Sequence, residues 1–307
     1  MEKMVIAFGG NALERPGESP KYGLEARNVE KAIGSISHVF KSRTGLLLTH
    51  GNGTQVGVEY LRNRYAHRWV APLPFQALNA ETQATIGTLI ETAVLKRLKS
   101  MRVGRSAVAL LTHVLVSPKD RAFRNPSKPV GPVYSKTALR DAHKLERFRY
   151  VRYGNGYRRV VASPFPKAVS ESRTIKHLVE SGRIVIAGGG GGIPIIDSAG
   201  TYPKSAAVID KDLTAGLLAT SIGAKTLVIL TSEDYVYRNY PDNKDPIRRV
   251  HAKELDRMLN TFDAGTMRPK VQACVEFIEH GGKKAFIGRL WGFESIIRGT
   301  SGTMIVK

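Results

Sequence analysis

Short apolar segments recur along this chain, and each of them ends in glycine or a small polar residue. Their length and their content of β-branched residues are typical of buried strands. The clearest examples are residues 4–10, 45–53, 106–114, 183–192, 225–232 and 284–288. Segments of helical period lie between them, such as residues 29–40 and 76–99. This alternation predicts an α/β fold, in which a mainly parallel twisted sheet is sandwiched by helices.

The composition is ordinary for a globular protein except in its charge. The chain has 307 residues, of which 42% are hydrophobic and 24% charged, enough for one large domain or two joined lobes. The formal net charge of +21 indicates anionic partners, which could be nucleotides, phosphate esters, nucleic acid or a membrane surface. Twelve basic residues against three acidic ones make residues 119–159 alone +9.

Nothing in the sequence predicts export or membrane insertion. The first ten residues lack the pattern of a signal peptide, and no apolar run approaches the ~20 residues that span a bilayer. The single cysteine, Cys274, cannot form an internal disulfide, so we expect a reducing, cytoplasmic location. Cys274 also lies on an apolar helical stripe, which predicts a core residue and not a catalytic thiol.

One region interrupts the alternation of strands and helices. Residues 117–166 contain six prolines and most of the dense basic run, with few strong helical or strand signals. We therefore expect an inserted subdomain or lid outside the main sheet.

Three glycine clusters follow predicted strands. They are Gly9, Gly10 and Asn11, then Gly51, Asn52 and Gly53, then residues 188–192, which include Gly189 and Gly190. Glycine lets backbone N–H groups approach phosphate oxygens, and ligands of parallel sheets bind at the carboxyl ends of strands. The three clusters together predict a shared anion site. None of them matches the P-loop or the dinucleotide-binding fingerprint.

The stretch Val208–Asp212 leads from a strand-like segment into an acid–lysine–acid cluster and then a helix rich in Ala and Leu. One interpretation is a solvated helix start, where Asp210 or Asp212 suits the helix dipole. The other is a site in which Lys211 contacts a phosphate and a neighbouring carboxylate holds the lysine in place. The local sequence favours neither interpretation.

Two further lysines are candidates for the same site. Lys270 follows Pro269 in the first turn of a predicted helix, where a positive charge opposes the helix dipole unless it faces a bound anion. Lys128 lies in the proline-rich segment 128–132 and reaches a site only if the insert folds over it.

The arginines between residues 147 and 159 are interleaved with aromatic residues, as in some nucleic-acid-binding surfaces. We do not expect a nucleic-acid partner, because no RRM, KH or zinc signature is present. The eight histidines show no metal-ligand spacing, so the sequence predicts no metal site built by the protein.

Taken together, these residues resemble the carbamate kinase family of the amino-acid kinase superfamily. The matching segments are residues 7–13, 49–57, 125–132, 158–164, 187–194, 208–212 and 262–270. They occur in the order of the family and cover nearly the whole chain. Sister kinases usually carry a lysine in the first loop, where this chain has residues 8–11, and this difference favours carbamate as the acceptor.

The resemblance implies reversible phosphoryl transfer between ATP and carbamate, with ADP and carbamoyl phosphate as the other pair. It implies Mg²⁺ bound with the nucleotide, a homodimer and a place in arginine metabolism. It implies that the glycine clusters hold the acceptor and the phosphoryl group. Lys128, Lys211 and Lys270 would neutralise charge, and Asp212 would orient lysines. The implied nucleotide contacts are Asp210, Thr231, Tyr237, Ala264, Gly265 and Met267.

The resemblance also divides the chain into an acceptor lobe, residues 1–205, and a nucleotide lobe, residues 206–307, on one continuous sheet. The chain departs from the family pattern at Thr54, at Ser232 and Glu233, and at Arg268, which stands where a small or apolar residue is usual. Two alternatives stay open at this point. One is another kinase of the superfamily with a different acceptor, and the other is a basic nucleic-acid-binding protein on the same fold.

Overall fold

The structure is a computed structural model that describes residues 1–10, 21–145, 148–240 and 243–307. Within these residues the strands are β1 Lys3–Phe8, β2 Gly45–His50, β3 Ala107–Ala109, β4 His113–Val116, β5 Lys128–Tyr134, β6 Arg149–Tyr153, β7 Gly156–Val161, β8 Pro166–Val169, β9 Ile184–Ile186, β10 Ile193–Ile195, β11 Thr226–Thr231, β12 Val236–Asn239, β13 Asn243–Ile247, β14 Arg249–His251, β15 Lys284–Arg289 and β16 Thr303–Val306. The helices are α1 Tyr22–Ile36, α2 Gly53–Ala66, α3 Phe75–Ser100, α4 Lys136–Leu145, α5 Ser172–Glu180, α6 Lys211–Ser221, α7 Ala252–Met258, α8 Met267–Glu279 and α9 Phe293–Ile297.

The main sheet has eight strands in the order β14-β16-β15-β11-β1-β2-β9-β3. Its central strands are parallel, with β1 between β11 and β2, and only β15 and β16 pair antiparallel. Strands from both halves of the chain therefore share one sheet. The carboxyl ends of β1, β2, β9 and β11 lie along the same edge, where the predicted glycine clusters follow them.

Helices cover both faces of this sheet, as the buried apolar runs predict. Along β1, Val5 and Ala7 pack into one core together with residues of α5, α6 and α8. Ile6 and Phe8 point to the opposite face and pack into a second core with residues of α1 and α3. Because successive side chains of a strand alternate between faces, a strand buried on both sides must be apolar throughout. The predicted α/β sandwich is confirmed.

The insert contains more regular structure than its sequence indicates. Strands β5, β7 and β6 form a separate antiparallel sheet, and α4 follows β5. The prolines do not prevent this sheet, because the prolines of β5 stand in a strand at its edge, where a missing N–H is tolerated. We call residues 128–161 the lid.

The lid is held against α2 by two glycines. A Cβ atom added to Gly57 would lie 2.0 Å from the Cα atom of Gly131. A side chain at this position would therefore keep the two backbones apart. Arg159 adds a second anchor, since its guanidinium carbon lies 3.8 Å from the ring centroid of Tyr60 and 4.6 Å from that of Phe148. These contacts hold β5 and β7 in position against α2.

Two further predictions concern single features. Cys274 is completely buried in α8, and burial raises the pKa of its thiol well above the ordinary value, which suits a core residue. Among the described helices, none is both long and apolar enough to cross a bilayer.

Candidate active site

The loops after β1, β2 and β9 meet at one end of the sheet. Gly9 donates its N–H to Leu230 O at 2.9 Å, and a Cβ atom at Gly9 would lie 2.8 Å from that oxygen. Gly51 lies under the Lys211 side chain, with its would-be Cβ atom 3.4 Å from the lysine Cδ. Glycine is therefore required at Gly9 for close approach to a backbone oxygen, whereas a Cβ atom at Gly51 would make an ordinary van der Waals contact.

The glycine run after β9 adopts backbone angles that other residues avoid. Gly188, Gly190, Gly191 and Gly192 all have positive φ, between 61° and 92°. A Cβ atom at Gly190 would lie 2.2 Å from the Asn52 side chain. The run therefore packs directly against the loop that follows β2, and an L side chain at Gly190 would be strained by both its φ and its neighbour.

Asn52 is buried and points its amide away from solvent. Its Nδ2 donates to Thr82 Oγ1 at 2.9 Å and to Asn79 Oδ1 at 3.3 Å, and both partners belong to α3. Asn79 in turn donates to Ala207 O at 3.0 Å. The side chain of Asn52 thus fixes the position of the loop Gly51–Gly53, whose backbone lines a cavity.

The acid–lysine–acid cluster at the start of α6 contains a helix cap and a lysine held by a carboxylate, and its two aspartates are buried and not solvated. Asp210 is the N-cap residue, and its Oδ1 accepts a hydrogen bond from Asp212 N at 2.9 Å. Its other oxygen, Oδ2, accepts from Lys128 Nζ of the lid. A helix cap and a lysine contact are therefore made by the same carboxylate, which is only 6% exposed.

Asp212 lies between two lysines. Its Oδ1 contacts Lys211 Nζ, and its Oδ2 accepts from Lys270 Nζ at 2.8 Å. Lys270 also donates to Thr266 O at 3.1 Å, which fixes the side chain at the start of α8. The carboxylate is 2% exposed, so this cluster of three charges is sheltered from water.

Burial and charge act against each other in this cluster. Burial alone would raise the pKa of Asp212, but the charges of Lys211 and Lys270 outweigh it and hold the pKa well below its ordinary value. Burial lowers the pKa of Lys211, and the attraction of Asp212 offsets only part of that effect. Burial acts on Lys270 too, yet its contact with Asp212 raises its pKa overall. The contact between Asp212 and Lys270 therefore favours the charged form of both groups.

These elements surround a cavity of about 210 Å³, which we call the lysine cavity. Its lining combines glycine-loop backbone, three lysines, two aspartates and one arginine. The residues are Gly10, Gly51, Asn52, Gly53, Thr54, Gln55, Lys128, Pro129, Arg158, Gly190, Val208, Ile209, Asp210, Lys211, Asp212, Gly265 and Lys270. Such a lining suits a small anion, since it offers backbone N–H groups and clustered positive charge.

A second cavity of about 360 Å³, the tyrosine cavity, shares Gly265 and Lys270 with the first. It is lined by Thr231, Ser232, Glu233, Tyr237, Arg238, Tyr240, Thr261, Phe262, Asp263, Gly265, Thr266, Met267 and Lys270. The rings of Tyr237 and Tyr240 are stacked with their centroids 6.2 Å apart. Its size and aromatic lining suit a planar organic ring, and Lys270 stands where the two cavities meet.

Most of the predicted site residues lie at these two cavities. Asp210 lines the lysine cavity, although the sequence places it with the nucleotide contacts. Gly9, Gly189 and Ala264 line neither cavity; Gly9 and Gly189 pack behind the loops, where a Cβ atom at Gly189 would lie 2.4 Å from His50 Nε2. Asn11 lies outside the described residues.

The structure adds residues to which the sequence assigned no site role, although Glu233 departs from the family pattern and Arg158 lies in a matching segment. Arg158 lines the lysine cavity, and Glu233 and Tyr240 line the tyrosine cavity. No local signal distinguishes Arg158 from the other arginines of the basic run. Arg268, in contrast, turns away from both cavities, because its guanidinium donates to Phe262 O and Asn260 O, each at 3.2 Å.

Among the described residues, the lysine cavity offers a divalent cation two carboxylates, and both are already in contact with lysines. No group of three or more His, Cys, Asp or Glu side chains in the described ranges is arranged to hold a metal. Asp210 and Asp212 face the lysine cavity, but lysine nitrogens already contact their oxygens. Oxygen ligands for Mg²⁺ would therefore come mainly from the ligand and from water.

The chain matches known proteins over nearly its whole length. Residues 2–289 match the amino acid kinase family. The chain therefore belongs to that family, whose members are phosphotransferases, and it is itself an enzyme of this class.

The relatives narrow the assignment. The chain is 38% identical to a carbamate kinase of Pyrococcus horikoshii over 310 residues, which cover 99% of each protein. It superposes on a carbamate kinase from Giardia lamblia bound to citric acid with a TM-score of 0.93 and 34% identity, covering 100% of this chain and 98% of the other. The same relative bound to AMP-PNP gives a TM-score of 0.89, with the same identity and coverage. Within the amino acid kinases, the chain is a member of the carbamate kinase family.

Proposed function

We propose that this enzyme transfers a phosphoryl group reversibly between ATP and carbamate, with ADP and carbamoyl phosphate as the other pair. The observation that carries the proposal is the cluster of Lys211, Asp212 and Lys270, which is buried beneath glycine loops at the carboxyl end of a parallel sheet. A carbamate kinase relative at 38% identity over 99% of both chains supports carbamate as the acceptor.

The lysine cavity is suited to the reacting phosphoryl group and the acceptor. Backbone N–H groups of the loop Gly51–Gly53 would bind phosphoryl oxygens, and the lysines would neutralise the charge that spreads over these oxygens in the transition state. Asp212 holds Lys211 and Lys270 on its two oxygens, so both ammonium groups are in place before the substrate arrives. Catalysis of this kind requires charge that is positioned before the reaction begins.

No general base is needed in this mechanism. Carbamate is an anionic oxygen nucleophile, so no proton has to leave it during the attack on the terminal phosphoryl group. In the reverse direction, an oxygen of the ADP terminal phosphate attacks the phosphoryl group and carbamate leaves with the bond's electron pair. His50 is therefore not required as a base, although its ring lies close behind the glycine run.

The tyrosine cavity is suited to the nucleoside. It lies at the end of β11, beside the start of α8, and shares the lining residues Gly265 and Lys270 with the lysine cavity. A nucleotide whose base lies near Tyr237 would therefore direct its phosphates toward Lys270. The Giardia lamblia relative bound to AMP-PNP supports a nucleotide site in this fold.

Mg²⁺ is proposed to enter with the nucleotide and to be held mainly by phosphate oxygens and water, as in other sites without a protein cage. It would supply additional positive charge to the phosphates. Asp210, Asp212 and the lysines of the lysine cavity would surround the complex of Mg²⁺ and nucleotide with charged groups.

We propose that each lobe binds one substrate, as the two cavities suggest. Residues 1–205 would bind the acceptor, with the lid of residues 128–161 closing over it, and residues 206–307 would bind the nucleotide. We also propose a homodimer in the cytoplasm, active in arginine metabolism.

The experiment is an acceptor panel. Purified protein with Mg²⁺, ADP and carbamoyl phosphate is expected to form ATP, measured by a luciferase endpoint against a blank without enzyme. In the forward direction, ATP consumption is measured with carbamate, acetylglutamate, UMP and isopentenyl phosphate. Turnover only with carbamate supports the proposal, whereas turnover with another acceptor and none with carbamate would exclude it.

A further inference from the structure

The lysine cavity contains one cation that has no acidic partner in the described part of the chain. Lys128 contacts Asp210, and Lys211 and Lys270 share Asp212. Arg158, which lines the same cavity, has no ion pair with any described residue. Among the described residues, its charge is not shared with an aspartate, whereas the charges of the three lysines are.

Strand β7 determines where this arginine points. Neighbouring residues of a strand face opposite sides, so Arg158 and Arg159 are directed apart. Arg159 is buried against Tyr60 and Phe148 and anchors the lid. Arg158 is half-buried, faces the cavity, and has its guanidinium carbon 5.0 Å from the ring centroid of Tyr153. Two adjacent arginines thus have different surroundings and, we argue, different roles.

The guanidinium of Arg158 is held in place but incompletely hydrogen-bonded. Its Nε is buried and has no hydrogen-bond partner among the described residues. A buried donor without a partner costs free energy, which a ligand can recover by accepting from it. The Tyr153 ring, whose centroid lies 5.0 Å from the guanidinium carbon, favours orientations in which the guanidinium lies against it.

The charges of the cavity lining indicate the kind of ligand. Three lysines and two aspartates leave a net charge of +1, and Arg158 brings the lining to +2. A guanidinium presents parallel N–H donors whose spacing matches two oxygens of one carboxylate or phosphoryl group. Arg158 does not line the tyrosine cavity, so its ligand belongs to the acceptor side and not to the nucleoside.

We infer that Arg158 is a substrate-binding residue that donates to two phosphoryl oxygens of carbamoyl phosphate, the acyl phosphate bound in the lysine cavity. The inference rests on the proposed function, since it names a contact to that substrate. It gives the lid a chemical role, because β7 brings to the substrate a cation that the main sheet does not supply.

The test compares Arg158→Gln and Arg158→Lys with the control Arg152→Gln, which changes an exposed arginine of the same lid. Initial rates of ATP formation give KM for carbamoyl phosphate and for ADP separately. Calorimetry with phosphonoacetamide, which replaces the bridging oxygen of carbamoyl phosphate by a CH₂ group, measures binding without turnover. Thermal unfolding shows whether each variant is folded.

For Arg158→Gln we expect KM for carbamoyl phosphate and Kd for phosphonoacetamide to rise about 10- to 100-fold, the range for losing a charged hydrogen-bonding partner. KM for ADP and the melting temperature should stay unchanged. Arg158→Lys should lose less than Arg158→Gln, because it keeps the charge but not the paired donors. Arg152→Gln should behave like the wild type.

Three results would overturn the inference. Unchanged KM and Kd in Arg158→Gln would show that the arginine is not a ligand of the acyl phosphate. A rise in KM for ADP alone would assign it to the nucleotide. Equal losses in Arg152→Gln would show only a general effect of lid charge. A wild-type protein that forms no ATP would instead exclude the proposed function, and that result is visible before any variant is made.

Discussion

The variant Lys270→Met tests whether Lys270 takes part in the reaction or only stabilises the fold. Lys270 Nζ lies 2.8 Å from Asp212 Oδ2 and stands where the lysine and tyrosine cavities meet. Methionine keeps most of the side-chain volume and removes the charge. Loss of one positioned electrostatic donor typically lowers kcat by about 10²–10³, or about 2.7–4 kcal/mol of transition-state stabilisation. We expect a loss of this size for Lys270→Met.

The same contacts predict that Lys270→Met stays folded. Asp212 keeps Lys211 on its other oxygen, so the buried carboxylate is not left without a cation. The unfolding free energy should therefore change by no more than about 1–2 kcal/mol, less than the 3–5 kcal/mol typical of a fully orphaned buried charge. Initial rates at saturating ADP and carbamoyl phosphate, beside thermal unfolding, measure the two effects.

The control is Lys253→Met, which changes an exposed lysine in the first turn of α7, away from both cavities. It should alter neither kcat nor the melting temperature. A kcat of Lys270→Met within threefold of the wild type, with unchanged stability, would refute the reasoning. Lys270 would then be a surface charge at a helix start and not part of the reaction.

Three further predictions concern Lys128, His50 and Gly190. Lys128→Ala should lower kcat in initial-rate assays while KM for ADP stays unchanged, because Lys128 reaches the lysine cavity from the lid; a loss of ADP binding would instead assign the lid to the nucleotide. Burial lowers the pKa of His50 from 6.5 to about 4 in the folded protein. As the pH falls, the imidazole is therefore protonated in the unfolded chain before it is protonated in the folded one. The free energy of unfolding should fall by about 3 kcal/mol between pH 6.5 and pH 4 for this reason. Urea unfolding of His50→Gln should show a smaller fall, and an identical pH dependence would contradict this. Gly190→Ala should destabilise the fold by more than 1 kcal/mol, roughly, because its φ is +61° and its Cβ would meet Asn52; an unchanged midpoint in urea would contradict the packing.

The sequence predicted the parts of the fold that depend on local pattern. The strands β1, β2, β11 and β15 are buried on both faces, and their apolar runs are therefore continuous and easily recognised. The segment 106–114 was less well predicted, since β3 ends at Ala109 and β4 begins at His113. Its apolar run is interrupted because the chain leaves the main sheet to join a second, smaller one.

The lid shows why pattern alone has limits. In β6 and β7 the side chains that pack inward include Arg159 and tyrosines, so the usual contrast between apolar and polar residues is lost. Stacking of a guanidinium on aromatic rings substitutes for an apolar core, and no hydrophobic period records it. For this reason the lid appeared irregular in sequence although it forms a sheet.

For the candidate site, the local sequence indicated types of residue but not the contacts between them. Glycine after a strand and lysine in a first helical turn are local signals, and they marked Gly51 and Lys270. The contacts depend on how the lid crosses the sheet. This arrangement brings Lys128 to Asp210, and it turns Arg158, but not Arg159, toward the cavity. Such long-range geometry has no counterpart in a local stretch of sequence.

The most direct test of the account is to follow the transferred phosphorus itself. Phosphorus NMR of the wild-type protein with Mg²⁺, ADP and carbamoyl phosphate reports every phosphate species in one sample. We predict that the acyl phosphate signal falls as the γ-phosphate signal of ATP rises in equal amount, above the slow decay in a blank without enzyme. Accelerated formation of inorganic phosphate without ATP, or no change from the blank, would contradict transfer between carbamoyl phosphate and ADP in the lysine cavity.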